Sequence, residues 1–144
     1  MENQLFQILL IEDDSDDAEL TIYALKKHNL ANPIIHIDDG EKALDFIFSS
    51  QPDPSLILLD LKMPRVDGIQ ILRSLKADPA KQRIPVVALI SSKDGKNYLE
   101  SHGLRADAYV IKPVDYKQFS AAVALIGISS LILSNPEQNK GIRS

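Results

Sequence analysis

Short apolar runs alternate along the chain with segments whose apolar residues recur at helical spacing. The runs are rich in branched residues, which is typical of strands buried on both faces of a sheet. They predict five strands, at residues 5–11, 33–37, 56–59, 85–90 and 108–111. The segments between and after them predict five helices, the first capped by Ser15 and the others at residues 40–48, 68–76, 95–102 and 115–133.

Regular alternation of strand and helix favours a single α/β domain. Such units join parallel strands through right-handed helical crossovers and place helices on both faces of the sheet. We therefore expect a doubly wound five-stranded parallel sheet. The domain is predicted to span residues 1–134, and the polar segment 135–144 to be a mobile tail.

Polar residues follow several of the predicted strands. In doubly wound sheets, ligands bind beyond the carboxyl ends of the strands. Six residues are therefore expected to share one pocket, namely Glu12, Asp13, Asp60, Ser91, Ser92 and Lys112.

The acids in this set indicate a site for a hard cation. Three neighbouring carboxylates, Glu12, Asp13 and Asp60, repel one another unless a cation with oxygen ligands joins them, and Mg²⁺ fits best. The backbone carbonyl of Lys62 is a further candidate ligand. With a dication and Lys112 nearby, Asp60 is a candidate nucleophile that forms an acyl phosphate.

Taken singly, each of these residues has an ordinary structural explanation. Acids that follow strands commonly cap helices, and a lysine in such a loop is often solvated. The hypothesis of phosphoryl transfer therefore rests on the whole set, with Lys112 expected to pair with a phosphoryl oxygen.

Composition narrows the possible partners and locations. The formal net charge of −4, without a basic run, gives no support for binding to nucleic acid or an anionic membrane. The absence of cysteine excludes disulfides and thiolate metal sites. The longest apolar stretch, 121–133, is shorter than the roughly 20 residues of a membrane span. We see no export signal, so we expect a cytoplasmic protein.

Three motifs, IEDD at 11–14, LLDLKMPRVDG at 58–68 and YVIKP at 109–113, closely resemble the receiver domains of two-component response regulators. The resemblance covers essentially the whole chain. Glu12 and Asp13 match the acidic pair of that family, and Asp60 matches its phosphorylated aspartate. The following turn is matched by Met63, Pro64 and Gly68, and the lysine-proline pair by Lys112 and Pro113.

This resemblance implies that a sensor histidine kinase transfers a phosphoryl group to Asp60 with Mg²⁺ as the cofactor. It also implies slow self-catalysed dephosphorylation and a cis peptide bond before Pro113. We expect no enzymatic activity beyond these steps. For the sheet, we expect the flavodoxin-like strand order 2-1-3-4-5.

One position departs from the family pattern. The family usually has Thr or Ser directly after the fourth apolar strand, and its hydroxyl bonds the phosphoryl group while an aromatic residue on the fifth strand rotates inward. Ile90 occupies that position, its neighbour Ser91 points to the other face unless the register slips, and Tyr109 matches the aromatic residue. We expect altered coupling with intact chemistry. Tyr109 is equally well explained as an ordinary half-buried strand residue.

The last predicted helix is apolar around most of its circumference, more than one sheet face can bury. Its apolar residues are Phe119, Val123, Leu125, Ile126, Ile128, Leu131, Ile132 and Leu133. We therefore predict a homodimer formed through this helix and its neighbourhood. The alternative is that the end of the helix packs on its own domain.

The long last helix and the segment after Lys76 also resemble the small stand-alone regulators of bacterial phytochrome kinases. Because Ile90 lacks the hydroxyl of the family, one functional alternative remains. It is a degenerate receiver that acts as an interaction module independent of phosphorylation.

His28, His36 and His102 have no metal-ligand spacing and are assigned no function.

Overall fold

The computed structural model describes residues 6–28, 30–49, 52–63 and 67–128. All five strands are parallel and lie in the order β2-β1-β3-β4-β5, which confirms the predicted fold class and strand order. The strands are β1 (Ile8–Ile11), β2 (Ile34–Ile37), β3 (Leu56–Asp60), β4 (Val86–Ile90) and β5 (Ala108–Ile111). The helices are α1 (Ser15–Lys26), α2 (Gly40–Ile47), α3 (Gly68–Ala77), α4 (Asp94–Ser101) and α5 (Tyr116–Ile126).

Alternate residues of the central strands feed two hydrophobic cores. Ile8 and Leu10 of β1 pack on one face with α1 and α5, and Leu9 and Ile11 pack on the other face with α2, α3 and α4. Because successive side chains of a strand point to opposite faces, β1, β3 and β4 are buried along their whole length. Polar groups of these strands are consequently confined to their carboxyl ends.

The N-cap of the first helix lies one residue earlier than predicted. Asp14, and not Ser15, is the N-cap: its backbone is extended and its side chain accepts a hydrogen bond from the backbone N–H of Asp17 at 2.9 Å. Ser15 is already the first helical residue. Both residue types are good caps, and the extended backbone that leaves β1 places the carboxylate in the capping position.

The last helix ends well before Leu133, so the prediction of one continuous helix from Asp115 is wrong. Asp115 is the N-cap, and the helix ends at Gly127, whose φ of 92° is left-handed. The backbone N–H of Ile128 donates to the carbonyl of Val123 at 3.1 Å, which closes the helix end. Residues 129–133, and the predicted tail at 135–144, lie outside the described residues.

The other boundaries differ from the prediction by small amounts. Asp60 is the last residue of β3, and α4 begins at Asp94 where Gly95 was expected. Strand β1 begins at Ile8, and the predicted start at Leu5 lies outside the described residues. Among the residues that the structure describes, no helix is long and apolar enough to cross a membrane.

Candidate functional site

Three carboxylates from two neighbouring strands meet at the carboxyl edge of the sheet. Glu12 and Asp13 directly follow β1, and Asp60 ends β3, the strand that pairs with β1. One oxygen from each of the three carboxylates lies within 4.8 Å of the others. Glu12 is fully buried, Asp60 is 4% exposed and Asp13 faces solvent. Clustered carboxylate oxygens are the ligands that a hard divalent cation prefers, so this donor set fits Mg²⁺.

Burial and mutual repulsion disfavour the charged forms of these acids. Burial, together with the hydrogen bond and charge of Asp60, raises the pKa of Glu12 to about 7, although Lys112 opposes this shift. Burial and the charge of Asp60 also raise the pKa of Asp13 above its ordinary value. A bound cation would relieve this repulsion, which is a second reason why the cluster suits one.

Lys112 reaches into the same cluster from the end of β5. Its ammonium nitrogen lies 3.1 Å from Glu12 Oε1, 3.2 Å from Asp17 Oδ2 and 3.5 Å from Asp60 Oδ1. Burial alone would lower the pKa of Lys112, but the charges of Asp60 and Glu12 outweigh it and raise the pKa above its ordinary value. The lysine is therefore a permanent cation beside Asp60. The peptide bond to Pro113 is cis, as the resemblance implied.

The turn after β3 holds Asp60 in place through backbone contacts. The backbone N–H of Lys62 lies 3.2 Å from Asp60 Oδ1, and that of Gly68 donates to the carbonyl of Leu61 at 3.1 Å. A Cβ at Gly68 would come within 2.6 Å of Leu61 Cα, so only glycine permits this approach. Met63 is buried, and Pro64 lies outside the described residues. The role of the Lys62 carbonyl as a metal ligand stays a prediction.

On the other side of Asp60, a cavity of about 660 Å³ opens between the turn after β3 and the start of α4. Ile90, Ser91 and Ser92 contribute to its lining, together with Gly95 and Tyr98. The side chain of Ile90 is 4% exposed, whereas Ser91 faces solvent. The buried position at the end of β4 is therefore occupied by Ile90, which has no hydroxyl.

Ile90 packs directly against the backbone of α4. A Cβ at Gly95 would lie 2.5 Å from Ile90 Cγ2 and 2.6 Å from Ile90 Cβ. The start of α4 thus lies so close to Ile90 that a Cβ at residue 95 would require Ile90 to shift.

Tyr109 is half-buried, and its hydroxyl is already engaged. The hydroxyl oxygen accepts a hydrogen bond from the backbone N–H of Ala106 at 3.0 Å. The ammonium of Lys96 lies 5.6 Å from the ring centroid, within reach of a cation–π contact. These contacts fit the ordinary half-buried strand aromatic, and the switch roles of Ile90, Ser91 and Tyr109 stay predictions.

The structure brings the six predicted residues to one edge of the sheet, but only Asp60, Ser91 and Ser92 line the cavity described above. It also adds two residues that the sequence analysis missed. Asp17 pairs with Lys112, and His36 Nε2 lies 2.7 Å from the backbone carbonyl of Glu12. Asp17 carried a usable signal, since it lies in the first turn of the helix that follows the acidic pair. His36 carried none, because its contact arises from the alignment of β2 beside β1.

His28 and His102 make local aromatic contacts away from this site. The ring of His28 stacks on Tyr116, with ring centroids 4.8 Å apart, and His102 packs edge-on against Tyr98. Nothing in these contacts calls for a metal-binding role.

A doubly wound sheet with paired acids after β1, an aspartate at the end of β3 and a lysine followed by a cis proline after β5 defines a receiver domain. The chain belongs to the response regulator receiver domain family, whose model matches residues 8–124.

Two similar proteins are response regulators of comparable length. The chain is 34% identical to response regulator Rcp1 of Synechocystis over 131 residues, which are 88% of this chain and 88% of Rcp1. It is 39% identical to the bacteriophytochrome response regulator AtBRR, with a TM-score of 0.81 over 88% of this chain and 95% of that chain. The predicted resemblance to phytochrome-type regulators is thereby confirmed.

Two further solved structures show similar proteins in a phosphorylated form and in a metal-bound form. One is the phosphorylated cyanobacterial phytochrome response regulator RcpA, 28% identical with a TM-score of 0.70 over 88% of this chain and 95% of that chain. The other is a Mn²⁺-bound form of Rcp1, 33% identical with a TM-score of 0.65 over 86% of this chain and 91% of that chain.

Proposed function

We propose that this response regulator accepts a phosphoryl group from the phosphohistidine of a sensor histidine kinase onto Asp60. A carboxylate oxygen of Asp60 attacks phosphorus, the N–P bond breaks, and the histidine nitrogen keeps its electron pair. The product is an acyl phosphate, which water later hydrolyses to restore the carboxylate. The observation that carries the proposal is the position of Asp60, 4% exposed between two acids and the ammonium of Lys112.

Mg²⁺ is the proposed cofactor, held by Glu12, Asp13 and Asp60, and its charge offsets the negative charge of the phosphoryl oxygens. The Mn²⁺-bound Rcp1 and the phosphorylated RcpA support both parts of this proposal by similarity. Lys112 supplies a second fixed positive charge on the chain itself, close to Asp60. The Lys62 carbonyl remains the proposed backbone ligand. The chain's own catalysis is limited to accepting and releasing its phosphoryl group.

The proposed output is a change in protein association, with a homodimer as the first candidate. Phe119, Ala122 and Val123 of α5 are buried in their own domain, and Ile126 and Ile128 pack against the same core. These contacts agree with the alternative that the end of the helix packs on its own domain. Leu125 is 76% exposed on the same helix, and three further apolar residues follow in the sequence, Leu131, Ile132 and Leu133. These residues support an interface at the end of α5. The absence of nucleic-acid and membrane partners, and a cytoplasmic location, stay predictions from composition.

A second candidate function is an interaction module that works without phosphorylation. The buried Ile90, which offers no hydroxyl to a phosphoryl oxygen, favours it. The two candidates differ in one consequence: partner binding by the module would be the same in an Asp60→Asn variant.

Intact-mass measurement after incubation with acetyl phosphate tests the proposal. Wild type and Asp60→Asn are compared with excess Mg²⁺ and with EDTA, and the same samples are analysed by sedimentation. We expect a phosphate-sized adduct on wild type with Mg²⁺, none on Asp60→Asn, and a larger sedimenting species in the modified sample. Folded wild type without an adduct would contradict phosphoacceptance, and an adduct without a change in association would contradict the dimer output.

A further inference from the structure

Asp17 lies beside the site but belongs to a different structural element from the clustered acids. It is in the first turn of α1, where its backbone N–H donates to the capping carboxylate of Asp14 at 2.9 Å. Its side chain accepts a hydrogen bond from the Lys112 ammonium at 3.2 Å. The cap fixes the backbone of Asp17, so its carboxylate is held at a defined place next to Lys112.

The ammonium of Lys112 has three N–H donors and meets three carboxylates, one from each of three elements. It hydrogen-bonds to Glu12 at 3.1 Å and to Asp17 at 3.2 Å, whereas Asp60 is an ion-pair partner at 3.5 Å. Two donors of a tetrahedral ammonium are therefore committed, and their directions determine where the third points. The third donor is left for Asp60, whose Oδ1 lies 3.5 Å from the ammonium nitrogen.

Asp17 differs from Glu12 because it is not one of the three acids whose oxygens lie within 4.8 Å of one another. Glu12 would be drawn toward a cation bound by that cluster. Asp17 is then the carboxylate left to hold Lys112 in position.

We propose that Asp17 is a positioning residue, which aims the Lys112 ammonium at the phosphoryl oxygens on Asp60. This inference rests on the proposed function. It assigns to Asp17 a part in phosphoryl transfer that requires no contact with the phosphoryl group or the cation. Correct placement of a charged donor is where a large share of such catalysis arises.

The position of Asp17 allows a clean test. Its side chain is 43% exposed, and ion pairs at such positions contribute little to stability, so its variants should fold. Asp16 is the matched control, since it is exposed, carries the same charge and lies in the same helical turn. Replacement of either residue by alanine removes one charge from the helix start.

The experiment measures the initial rate of adduct formation from acetyl phosphate in wild type, Asp17→Ala, Asp17→Asn and Asp16→Ala. Calorimetric titration first gives the Mg²⁺ affinity of each, so that every rate is taken at saturation, and urea unfolding checks the fold. We expect Asp17→Ala to lower the rate by about three- to tenfold and Asp16→Ala by less than about twofold. Asp17→Asn keeps an acceptor oxygen and should recover part of the loss.

Equal rates in folded, saturated Asp17→Ala and Asp16→Ala would overturn the inference while leaving phosphoacceptance intact. A rate loss that is present at subsaturating Mg²⁺ and absent at saturation would also overturn it, because Asp17 would then act through the cation. A wild-type chain that takes no adduct would contradict the proposed function and this inference with it.

Discussion

The two sides of Asp60 differ in how closely they follow the receiver pattern. The acidic side, formed by Glu12, Asp13 and Lys112, has the residue types of the family. Carboxylate oxygens of Glu12 and Asp13 lie within 4.8 Å of an oxygen of Asp60, and the Lys112 ammonium lies 3.5 Å from Asp60. The β4–α4 side, formed by Ile90, Ser91 and Gly95, has an apolar residue where the family has a hydroxyl. We propose that phosphoryl acceptance depends on the acidic side and that communication to the surface depends on the β4–α4 side. A change confined to the β4–α4 side would then alter signalling without ending phosphorylation.

The largest expected change in stability comes from substitution of Gly68, which lies after the turn that holds Asp60 in place. In Gly68→Ala, the new Cβ would meet the backbone, with Leu61 Cα at 2.6 Å and the Asp60 carbonyl at 2.8 Å. Because these backbone atoms cannot avoid the contact by changing a side-chain rotamer, we expect the free energy of unfolding to fall by about 3 kcal/mol. Urea denaturation measures this loss, and calorimetry should show weaker Mg²⁺ binding because Asp60 is displaced. A variant with wild-type stability and Mg²⁺ affinity would show that this contact does not position Asp60.

The next effect is a pH dependence of Mg²⁺ binding that arises on the acidic side. The pKa of Glu12 is raised to about 7, so the metal-free protein retains that proton in neutral and mildly acidic solution. A cation must displace it, and we expect the dissociation constant for Mg²⁺ to rise about tenfold between pH 8 and pH 6. Glu12→Gln should bind Mg²⁺ more weakly and with a flatter pH profile. An affinity of wild type that is constant from pH 8 to pH 6 would contradict this role of Glu12.

The raised pKa also fixes the sign of the Glu12 contribution to stability. Between its ordinary pKa of 4.5 and the folded value of about 7, the folded metal-free protein binds more protons than the unfolded chain. The contribution of Glu12 to the free energy of unfolding therefore falls as the pH rises from 4.5 to about 7. A bound cation that replaces the proton restores this contribution.

The smallest effect is expected on the β4–α4 side. In Gly95→Ala, the new Cβ would lie 2.5 Å from Ile90 Cγ2 and 2.6 Å from Ile90 Cβ. The cost of this crowding is partly offset by the helix preference of alanine, so we expect a net loss of about 1 kcal/mol by urea unfolding. Ile90→Ala removes Cγ2 and keeps Cβ, so Gly95→Ala should cost less in that background. Strict additivity of the two changes would show that Ile90 does not hold the start of α4.

Much of the fold was predictable because its signals are local. Branched apolar runs marked the strands, and the alternation with helices led to the parallel sheet with its pocket at the strand ends. The same rule placed Glu12, Asp60 and Lys112 together before any contact was known.

The predictions failed where the local sequence allowed more than one helix boundary, or where a contact joins residues distant in sequence. Asp14 and Ser15 are both good caps, and only the exit of the chain from β1 decides between them. Gly127 did carry a signal for the end of α5, but the apolar residues beyond it favoured a longer helix. The pairing of Asp17 with Lys112 joins residues 95 apart in sequence. The position of Asp17 after the acidic pair places it near the site, but it does not identify Lys112 as its partner.

We expect Ile90 to alter the coupling of phosphorylation to output and to leave the chemistry at Asp60 intact. The most direct test compares wild type with Ile90→Thr in the initial rate of adduct formation from acetyl phosphate at saturating Mg²⁺, with Asp60→Asn as the unreactive control. We predict a phosphate-sized adduct on both wild type and Ile90→Thr, with initial rates of formation that agree within about threefold. A wild-type chain that stays unmodified while Ile90→Thr takes the adduct would contradict it, since the hydroxyl would then be required for acceptance itself.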